Sequence, residues 1–161
     1  MRILGIDPGS RATGYGVIEV CGRRLDFVCC GVIRVKTGQS FPERLLEINQ
    51  GVCEVIEARR PDRVAIEEVF MARNPSSALK LGHARGVLIL AAMQSKLPLA
   101  EYSARQIKQA VAGYGNADKA QIQHMVKAIL SLAKSPSHDA ADALAVAICH
   151  ANHFQADSGF G

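Results

Sequence analysis

The sequence predicts an α/β fold with a mixed five-stranded sheet and helices on both faces of it. The first three strands along the chain are expected to be antiparallel. Two observations lead to this prediction. Residues 1–35 contain three β-prone runs in succession, joined by short turns, which is typical of consecutive antiparallel strands. From Phe41 onward, segments with apolar residues at helical spacing alternate with two short apolar runs, as in sheets whose later strands are parallel.

Turn residues delimit the first three strands. The first covers residues 2–7 and stops at Pro8-Gly9-Ser10. The second is predicted over residues 15–20 and the third over residues 25–35, with Gly22-Arg23-Arg24 as the hairpin turn between them. The three strands are therefore expected to pair in chain order.

The remaining elements follow from periodicity and capping residues. A helix from Phe41 to about Arg59 ends before Pro61, and the apolar run 63–66 is a fourth strand that stops at Glu67. Ser76 or Ser77 is expected to cap the next helix. That helix is predicted over residues 77–95, and a fifth strand over residues 97–102. Three further helices are predicted over residues 104–113, 118–134 and 137–150.

Length and composition favour one folded unit. The chain has 161 residues, of which 48% are hydrophobic and 21% are charged. We expect residues 1–154 to form the domain and residues 155–161, which carry one acid and no base, to form a short disordered tail. No apolar run is long enough for a membrane span and no signal peptide is recognisable, so a cytoplasmic protein without membrane contact is expected.

The charge of the chain is unevenly distributed. The formal net charge is +4, but residues 69–135 hold nine Lys and Arg against only Glu101 and Asp118. The flanking segments hold ten basic and thirteen acidic residues. A basic middle with acidic flanks fits a polyanion-binding enzyme with a carboxylate metal site, although solvated helix faces explain it equally well.

Two carboxylates follow apolar strands. Asp7 ends the first strand and Glu67 ends the fourth. If these strands are parallel neighbours, both side chains lie at their carboxyl-terminal edge, where open α/β sheets bind ligands. Alternation along a strand places Glu68 on the opposite face, so only Glu67 should join Asp7. Taken alone, Asp7 is better explained as the residue that caps the following turn at Pro8-Gly9.

Asp139 and Asp142 complete the candidate site. They lie three residues apart near the start of the last predicted helix and project from one side of it. A favourable interaction with the helix dipole accounts for the pair by itself. If all four carboxylates converge, however, their repulsion is tolerable only with bound cations, and oxygen ligands favour Mg²⁺ or Mn²⁺.

Four segments of the chain carry a set of motifs in order and without large gaps: residues 5–16 (GIDPGSRATGYG), 65–74 (AIEEVFMARN), 78–86 (ALKLGHARG) and 139–145 (DAADALA). Together they resemble the RuvC family of bacterial Holliday-junction resolvases. The resemblance implies a ribonuclease-H-like fold, a homodimer, and nicking of two opposed strands of a four-way DNA junction. It also implies two Mg²⁺ ions per active site, with Mn²⁺ able to substitute, and RuvA–RuvB as partner complex.

The resemblance also assigns residues. Asp7, Glu67, Asp139 and Asp142 match the catalytic, metal-binding acids of the family. Lys108 and Lys119 match basic positions near the DNA backbone, and they flank the flexible loop 113–115. Phe70 matches a residue that stacks on an unpaired base at the crossover, although packing under the next helix is the alternative. We also assign a DNA contact to Arg73, which lies close to Phe70 in the sequence.

Three alternatives remain at this point. An ATPase of the actin, Hsp70 and sugar-kinase type shares the first motif but needs a second lobe, for which 161 residues are expected to be too few. A YqgF-like nuclease of the same superfamily fits the loop at Phe70 and the Asp139–Asp142 spacing less well. A non-catalytic junction-binding module would share the DNA-binding surface but would not cut DNA.

Overall fold

The computed structural model describes residues 1–69 and 73–159. It contains the ten elements in the predicted order: β1 (Arg2–Asp7), β2 (Ala12–Cys21), β3 (Arg24–Arg34), α1 (Phe41–Arg59), β4 (Arg63–Glu67), α2 (Pro75–Gln94), β5 (Leu99–Tyr102), α3 (Ala104–Ala112), α4 (Lys119–Ile129) and α5 (His138–Ser158). None of the helices within the described ranges has the length and apolar character needed to cross a lipid bilayer.

The five strands form one mixed sheet with the order β3-β2-β1-β4-β5. Strands β1, β2 and β3 pair in antiparallel fashion, whereas β4 pairs parallel to both β1 and β5. This confirms the predicted fold class. Because β1, β4 and β5 run in the same direction, their carboxyl-terminal ends lie at one edge of the sheet.

Helices cover both faces of the sheet, as the sequence predicts. Helices α1 and α2 bury one apolar cluster, which includes Ile48 and Leu88, against strand residues such as Leu4. Helices α3, α4 and α5 bury a second cluster on the other face. Residues 140–151 of α5 are almost all buried, so this helix forms the central element of that face.

Helix α5 lies unusually close to β1 and β2 because glycines of those strands face it. A Cβ placed at Gly5 would overlap the backbone oxygen of Ala143, and one at Gly14 would overlap the backbone oxygen of Asp139. Any side chain at these positions would push the helix away from the sheet. The start of α5 is therefore held directly beside the carboxyl-terminal end of β1.

Several predicted element boundaries differ from the structure, and the start of α2 and the end of α4 differ for clear local reasons. Helix α2 is capped by Asn74, whose side-chain oxygen accepts a hydrogen bond from Ser77 N at 2.8 Å, rather than by Ser76 or Ser77. Helix α4 ends at Ile129 instead of continuing to residue 134, because Ser131 adopts a left-handed backbone conformation. Its neighbour Leu132 N then donates to Lys127 O at 2.9 Å, which closes the helix end.

The expectation of a disordered tail from residue 155 is also wrong for residues 155–158. Helix α5 continues to Ser158. The side chain of Gln155 donates a 2.6 Å hydrogen bond to Gly22 O in the β2–β3 turn, and the Phe154 ring stacks under Arg63 at 4.7 Å. These contacts with the sheet hold the last turns of α5 in place.

Candidate active site

A cavity of about 330 Å³ opens at the carboxyl-terminal edge of β1 and β4. Helices α3, α4 and α5 form its other walls. The residues around it include the four carboxylates singled out in the sequence together with two lysines, namely Asp7, Glu67, Asp139, Asp142, Lys108 and Lys119. The structure thus brings together acids from three separate segments of the chain.

Asp7 and Glu67 meet because β1 and β4 are parallel neighbours. Ile6 pairs with Ile66, so the next residue of each strand lies at the same level of the sheet. The end of β4 is fixed from both sides: Arg85 Nε donates to Glu67 O at 3.1 Å, and Glu68 N donates to Tyr102 O at 2.8 Å. Glu68 does not line the cavity, which agrees with the predicted alternation of side chains.

Asp139 and Asp142 reach the cavity from the first turns of α5. Ser137 caps this helix, and its hydroxyl accepts a hydrogen bond from Ala140 N. Asp7 pairs with Gly14 in the sheet, and Gly14 contacts the backbone of Asp139. The same glycine therefore sets how closely the two carboxylate-bearing segments approach each other.

The electrostatics of the cavity reflect crowded, buried negative charge. Burial raises the pKa of Asp7 to about 9, and the neighbouring charges of Glu67, Asp142 and Asp139 add to the effect. Burial also raises the pKa of Glu67, although a hydrogen bond from Asp7 acts in the opposite direction. The pKa of Asp142 is raised by burial as well, against the attraction of Lys119. Without a cation, Asp7 keeps a proton at neutral pH and shares it with Glu67.

The two lysines come from α3 and α4, on either side of the loop 113–115. Gly113 ends α3 in a left-handed conformation, with φ at 87°, so the chain reverses sharply before α4 begins. Both lysines line the same cavity as Glu67 and Asp142, and their charges oppose the rise in the pKa of these two carboxyl groups. The cavity thus offers cations that can attract a phosphodiester beside acids that can hold metal ions.

Of the other predicted DNA contacts, Arg73 does not line this cavity. Arg73 is exposed and precedes the Asn74 cap of α2. Phe70 lies outside the described residues, so its predicted stacking role stays a prediction. Within the described ranges, no three acids, histidines or cysteines are already close enough together to form a metal-binding group.

Comparison with known proteins identifies the family. The profile described as "Crossover junction endodeoxyribonuclease RuvC" matches residues 3–150 of the chain. The chain belongs to the RuvC family. Relatives named crossover junction endodeoxyribonuclease RuvC include one from Photobacterium profundum, 61% identical over 93% of this chain and 86% of its own length. Another, from Idiomarina loihiensis, is 57% identical over 95% of this chain and 88% of its own length.

Solved structures agree with the RuvC assignment. The structure described as T. thermophilus RuvC in complex with Holliday junction substrate superimposes with a TM-score of 0.90, at 37% identity over 98% of this chain and 97% of that one. The yeast mitochondrial Holliday junction resolvase Ydc2 has a TM-score of 0.67 at 14% identity and shares the fold. Family membership therefore favours RuvC over the ATPase and YqgF-like alternatives.

Sequence reasoning on this RuvC-family chain missed one residue that supports the site. Arg85 lies on α2, and besides binding Glu67 O it forms a 2.8 Å ion pair with Glu101 of β5. Its side chain is only 20% exposed, which is unusual for an arginine on a surface helix. The sequence places Arg85 in the motif 78–86, but nothing in the motif says that it reaches the backbone of β4.

Proposed function

We propose that the protein is a Holliday-junction resolvase that nicks two opposed strands of a four-way DNA junction and leaves 5′-phosphate and 3′-hydroxyl ends. The observation that carries this proposal is the cavity in which Asp7, Glu67, Asp139 and Asp142 face Lys108 and Lys119. Relatives named crossover junction endodeoxyribonuclease, and a RuvC structure bound to a Holliday junction, support the same substrate and reaction.

The donor set of the cavity fits Mg²⁺, with Mn²⁺ as a substitute. All four candidate ligands are carboxylates, and Mg²⁺ prefers a few carboxylate oxygens together with water and substrate phosphate. The raised pKa of Asp7 indicates that the acids need a cation to be fully ionised. When bound, two Mg²⁺ ions would activate a water for attack and stabilise the departing 3′ oxygen.

The side chains of the cavity have distinct tasks in this proposal. Asp7 is affected by the charges of Glu67, Asp142 and Asp139, so it would be a shared ligand of the bound metal ions. Glu67 and Asp142 would be further ligands, and Asp139 would add negative charge at the start of α5. Lys108 and Lys119 contact the DNA backbone and orient the phosphodiester over the acids.

Two further residues are proposed to distinguish a junction from ordinary duplex. Arg73 is exposed next to the helix cap at Asn74, where it can reach a phosphate. Phe70 is proposed to stack on a base that the crossover leaves unpaired. The sequence supports this role because the loop directly follows the strand that bears Glu67.

We also propose a homodimer that forms through one face of α2. Leu79, Leu90 and Met93 are 65%, 54% and 58% exposed, and together with Gly82 and Gly86 they follow helical spacing along one stripe. A Cβ at either glycine would meet open space, so a second helix can approach closely there. A two-fold dimer would present two active sites to the two opposed strands of a junction. A cytoplasmic location and a partnership with RuvA–RuvB belong to the same proposal.

Helix α2 presents its small residues on two faces. Ala91 and Ala92 are buried against the sheet, whereas Gly82 and Gly86 lie on the exposed side. The exposed glycines, flanked by apolar side chains, favour the second copy of this chain as the occupant.

The test uses a mobile four-way junction and a linear duplex of the same sequence, each with Mg²⁺. Wild-type protein is expected to make paired, symmetric nicks in the junction only. Glu67→Gln and Asp7→Asn should each reduce cleavage by about 10³-fold, because they remove several kcal/mol of charge stabilisation at the metals. Junction binding in EDTA should persist in both variants.

Glu68→Gln is the matched control for Glu67→Gln. It changes the adjacent residue in the same way, but Glu68 does not line the cavity. Cleavage by Glu68→Gln should stay near the wild-type rate. Wild-type cleavage by Asp7→Asn would refute the proposed site. Binding without cleavage by the wild-type protein in Mg²⁺ and in Mn²⁺ would identify a junction-binding module instead of an enzyme.

A further inference from the structure

A second cavity, of about 400 Å³, is basic and lies at the same end of the sheet as the candidate active site. Arg11, Lys36 and Arg44 line it, together with residues of the segment that connects β3 to α1. Neither the charge distribution along the sequence nor the family motifs single out these three cations as a group. The active site uses none of them.

The position of this basic cavity relates it to the acids. Arg11 lies in the turn that leaves β1 after Asp7, and Val35 N donates to Arg11 O at 3.2 Å, which extends the β2–β3 pairing. Gly14, the partner of Asp7 in the sheet, is three residues further along. Three residues of extended chain span about 10 Å. The basic cavity therefore lies at the same end of the sheet as the acidic cavity, displaced from it towards β3.

The three cations lack acidic partners within the part of the chain that the structure describes, since none of them forms an ion pair there. The nearby acids bind backbone groups instead. Glu47 accepts a 3.0 Å hydrogen bond from Lys36 N, and Glu43 accepts one of 2.8 Å from Ser40 N in the capping box of α1. These two carboxylates leave negative charge near the cavity, but neither forms an ion pair with the three cations in the described ranges.

Arg44 is the most constrained of the three. Its guanidinium stacks over the Phe41 ring at 5.1 Å, and its Nε is shielded from solvent without an acceptor among the described residues. A guanidinium that is partly dehydrated and unpaired gains more from a nearby anion than an exposed one does. Gln39 Oε1 is buried without a donor in the same cavity, and a water carried by a hydrated anion can satisfy it.

We propose that Arg11, Lys36 and Arg44 bind a backbone phosphate of the DNA arm that leaves the active site over the β1–β2 turn. The inference rests on the proposed function, because the occupant is taken to be the junction. A phosphate matches the cavity because it accepts hydrogen bonds from several cations at once and because guanidinium binds it in a fork. The contact fixes the path of one arm relative to the scissile phosphate.

The first arm of the test measures junction binding in EDTA as a function of salt. Arg11→Gln and Lys36→Gln change exposed side chains, so the fold should be retained. Each should weaken binding by about fivefold near physiological salt. Each should also lower the salt slope, which is the steepness with which the logarithm of the binding constant falls with the logarithm of the salt concentration, by about 0.9 for each phosphate that is no longer neutralised. Arg23→Gln is the matched control, because it removes an exposed cation from the β2–β3 turn at the opposite edge of the sheet. If the Arg11 and Lys36 variants bind no more weakly than Arg23→Gln, the inference is wrong.

The second arm follows the Arg44 Nε–H signal by NMR in the Asp7→Asn protein, which is expected to bind the junction without cutting it. The protein is titrated with junction and, separately, with inorganic phosphate alone. Substoichiometric junction should shift this signal, and Arg11→Gln should reduce the shift. Arg44→Lys keeps the charge and should still weaken binding, because the forked geometry is lost. A signal that responds to millimolar phosphate but not to junction would overturn the assignment to DNA.

The two proposals fail in distinguishable ways. If wild-type protein cuts the junction while the three variants behave like Arg23→Gln, the basic cavity is not a phosphate site and the resolvase assignment stands. If wild-type protein neither binds nor cuts the junction, the resolvase assignment fails and the DNA-phosphate assignment fails with it. A response to an acidic peptide in place of DNA would likewise overturn the inference.

Discussion

Gly14 of β2 lies directly against the backbone carbonyl of Asp139 in the first turn of α5. No side chain fits between them, since a Cβ at Gly14 would overlap that carbonyl oxygen. Gly14 is also the sheet partner of Asp7. One glycine therefore determines the spacing between the acid at the end of β1 and the acids at the start of α5.

Gly14→Ala tests this relationship. The added methyl should push the start of α5 away from the sheet, lower the free energy of unfolding by about 1–3 kcal/mol and reduce cleavage by about 10²-fold. Denaturant unfolding and single-turnover cleavage of a four-way junction measure the two effects.

Gly31→Ala provides the control, because Gly31 is a strand glycine whose Cβ would meet the side chain of Tyr15. It should lower stability to a similar or smaller extent and leave cleavage nearly unchanged. Equal reductions of cleavage in the two variants would mean that general destabilisation, rather than the position of Asp139, explains the result.

The crowded carboxylates predict an unusual dependence of stability on pH when metal is absent. The pKa of Asp7 is raised from 3.8 to about 9, so over this range the folded chain retains a proton that the unfolded chain releases. The free energy of unfolding should therefore fall as pH rises from about 4 to 9 in EDTA. Mg²⁺ should reverse the loss at high pH by compensating the ionised acids.

Asp7→Asn should flatten this pH profile and raise the stability of the metal-free protein at pH 8. Asp157→Asn is the matched control, because Asp157 is an exposed carboxylate near the end of α5. Urea unfolding at several pH values compares the three proteins. A wild-type stability that stays constant or rises between pH 5 and about 8 in EDTA would contradict the raised pKa.

The sequence predicts much of this site because its acids follow simple rules. Asp7 and Glu67 each end an apolar strand, and parallel pairing of those strands is enough to bring them together. Asp139 and Asp142 are recognisable as one helix face, but their distance from Asp7 depends on contacts of α5 with Gly5 and Gly14. Such close approach is a property of packing, which residue patterns along the chain do not contain.

Other features could not be predicted from the sequence, either because they combine residues from distant segments or because neighbouring residues compete for the same structural role. The basic cavity combines Arg11 from a turn, Lys36 from a connection and Arg44 from a helix, so no periodicity links them. The cap of α2 shows local competition, because Asn74 and two following serines are all suitable caps and only the structure shows which one is used.

Lys119 is expected to contribute to DNA affinity without selecting a sequence. Its ammonium lies in the acidic cavity, where it can contact the scissile phosphodiester or its neighbour. Lys119→Gln should weaken junction binding similarly for all sequences and lower the salt slope by about one. Binding titrations at several salt concentrations on two junctions of different sequence measure both effects.

Lys96→Gln is a matched control for Lys119→Gln, because Lys96 is an exposed lysine beyond the end of α2, before β5 begins. It should change the salt slope little. A loss of affinity in Lys119→Gln that is restricted to one junction sequence would argue against a backbone contact.

Arg85 is expected to act as a positioning residue for Glu67. Its Nε donates a hydrogen bond to Glu67 O at 3.1 Å, and its Nη2 forms an ion pair with Glu101 at 2.8 Å. Through these two contacts, Arg85 of α2 connects the end of β4 with β5. Arg85→Met keeps an unbranched side chain but removes the donor. It should reduce the single-turnover rate at saturating junction by about tenfold, because small displacements of a metal ligand are costly, while junction affinity changes little.

Glu101→Gln separates the two contacts of Arg85. This variant removes the charge of an ion-pair partner that is 42% exposed, so the free energy of unfolding should fall by less than about 1 kcal/mol. The hydrogen bond from Arg85 to Glu67 O should remain, and cleavage should stay close to wild type. If Glu101→Gln slows cleavage as much as Arg85→Met, the ion pair rather than the contact with Glu67 supports the site. If Arg85→Met weakens binding and leaves the rate at saturation unchanged, Arg85 contacts DNA instead of positioning the acid.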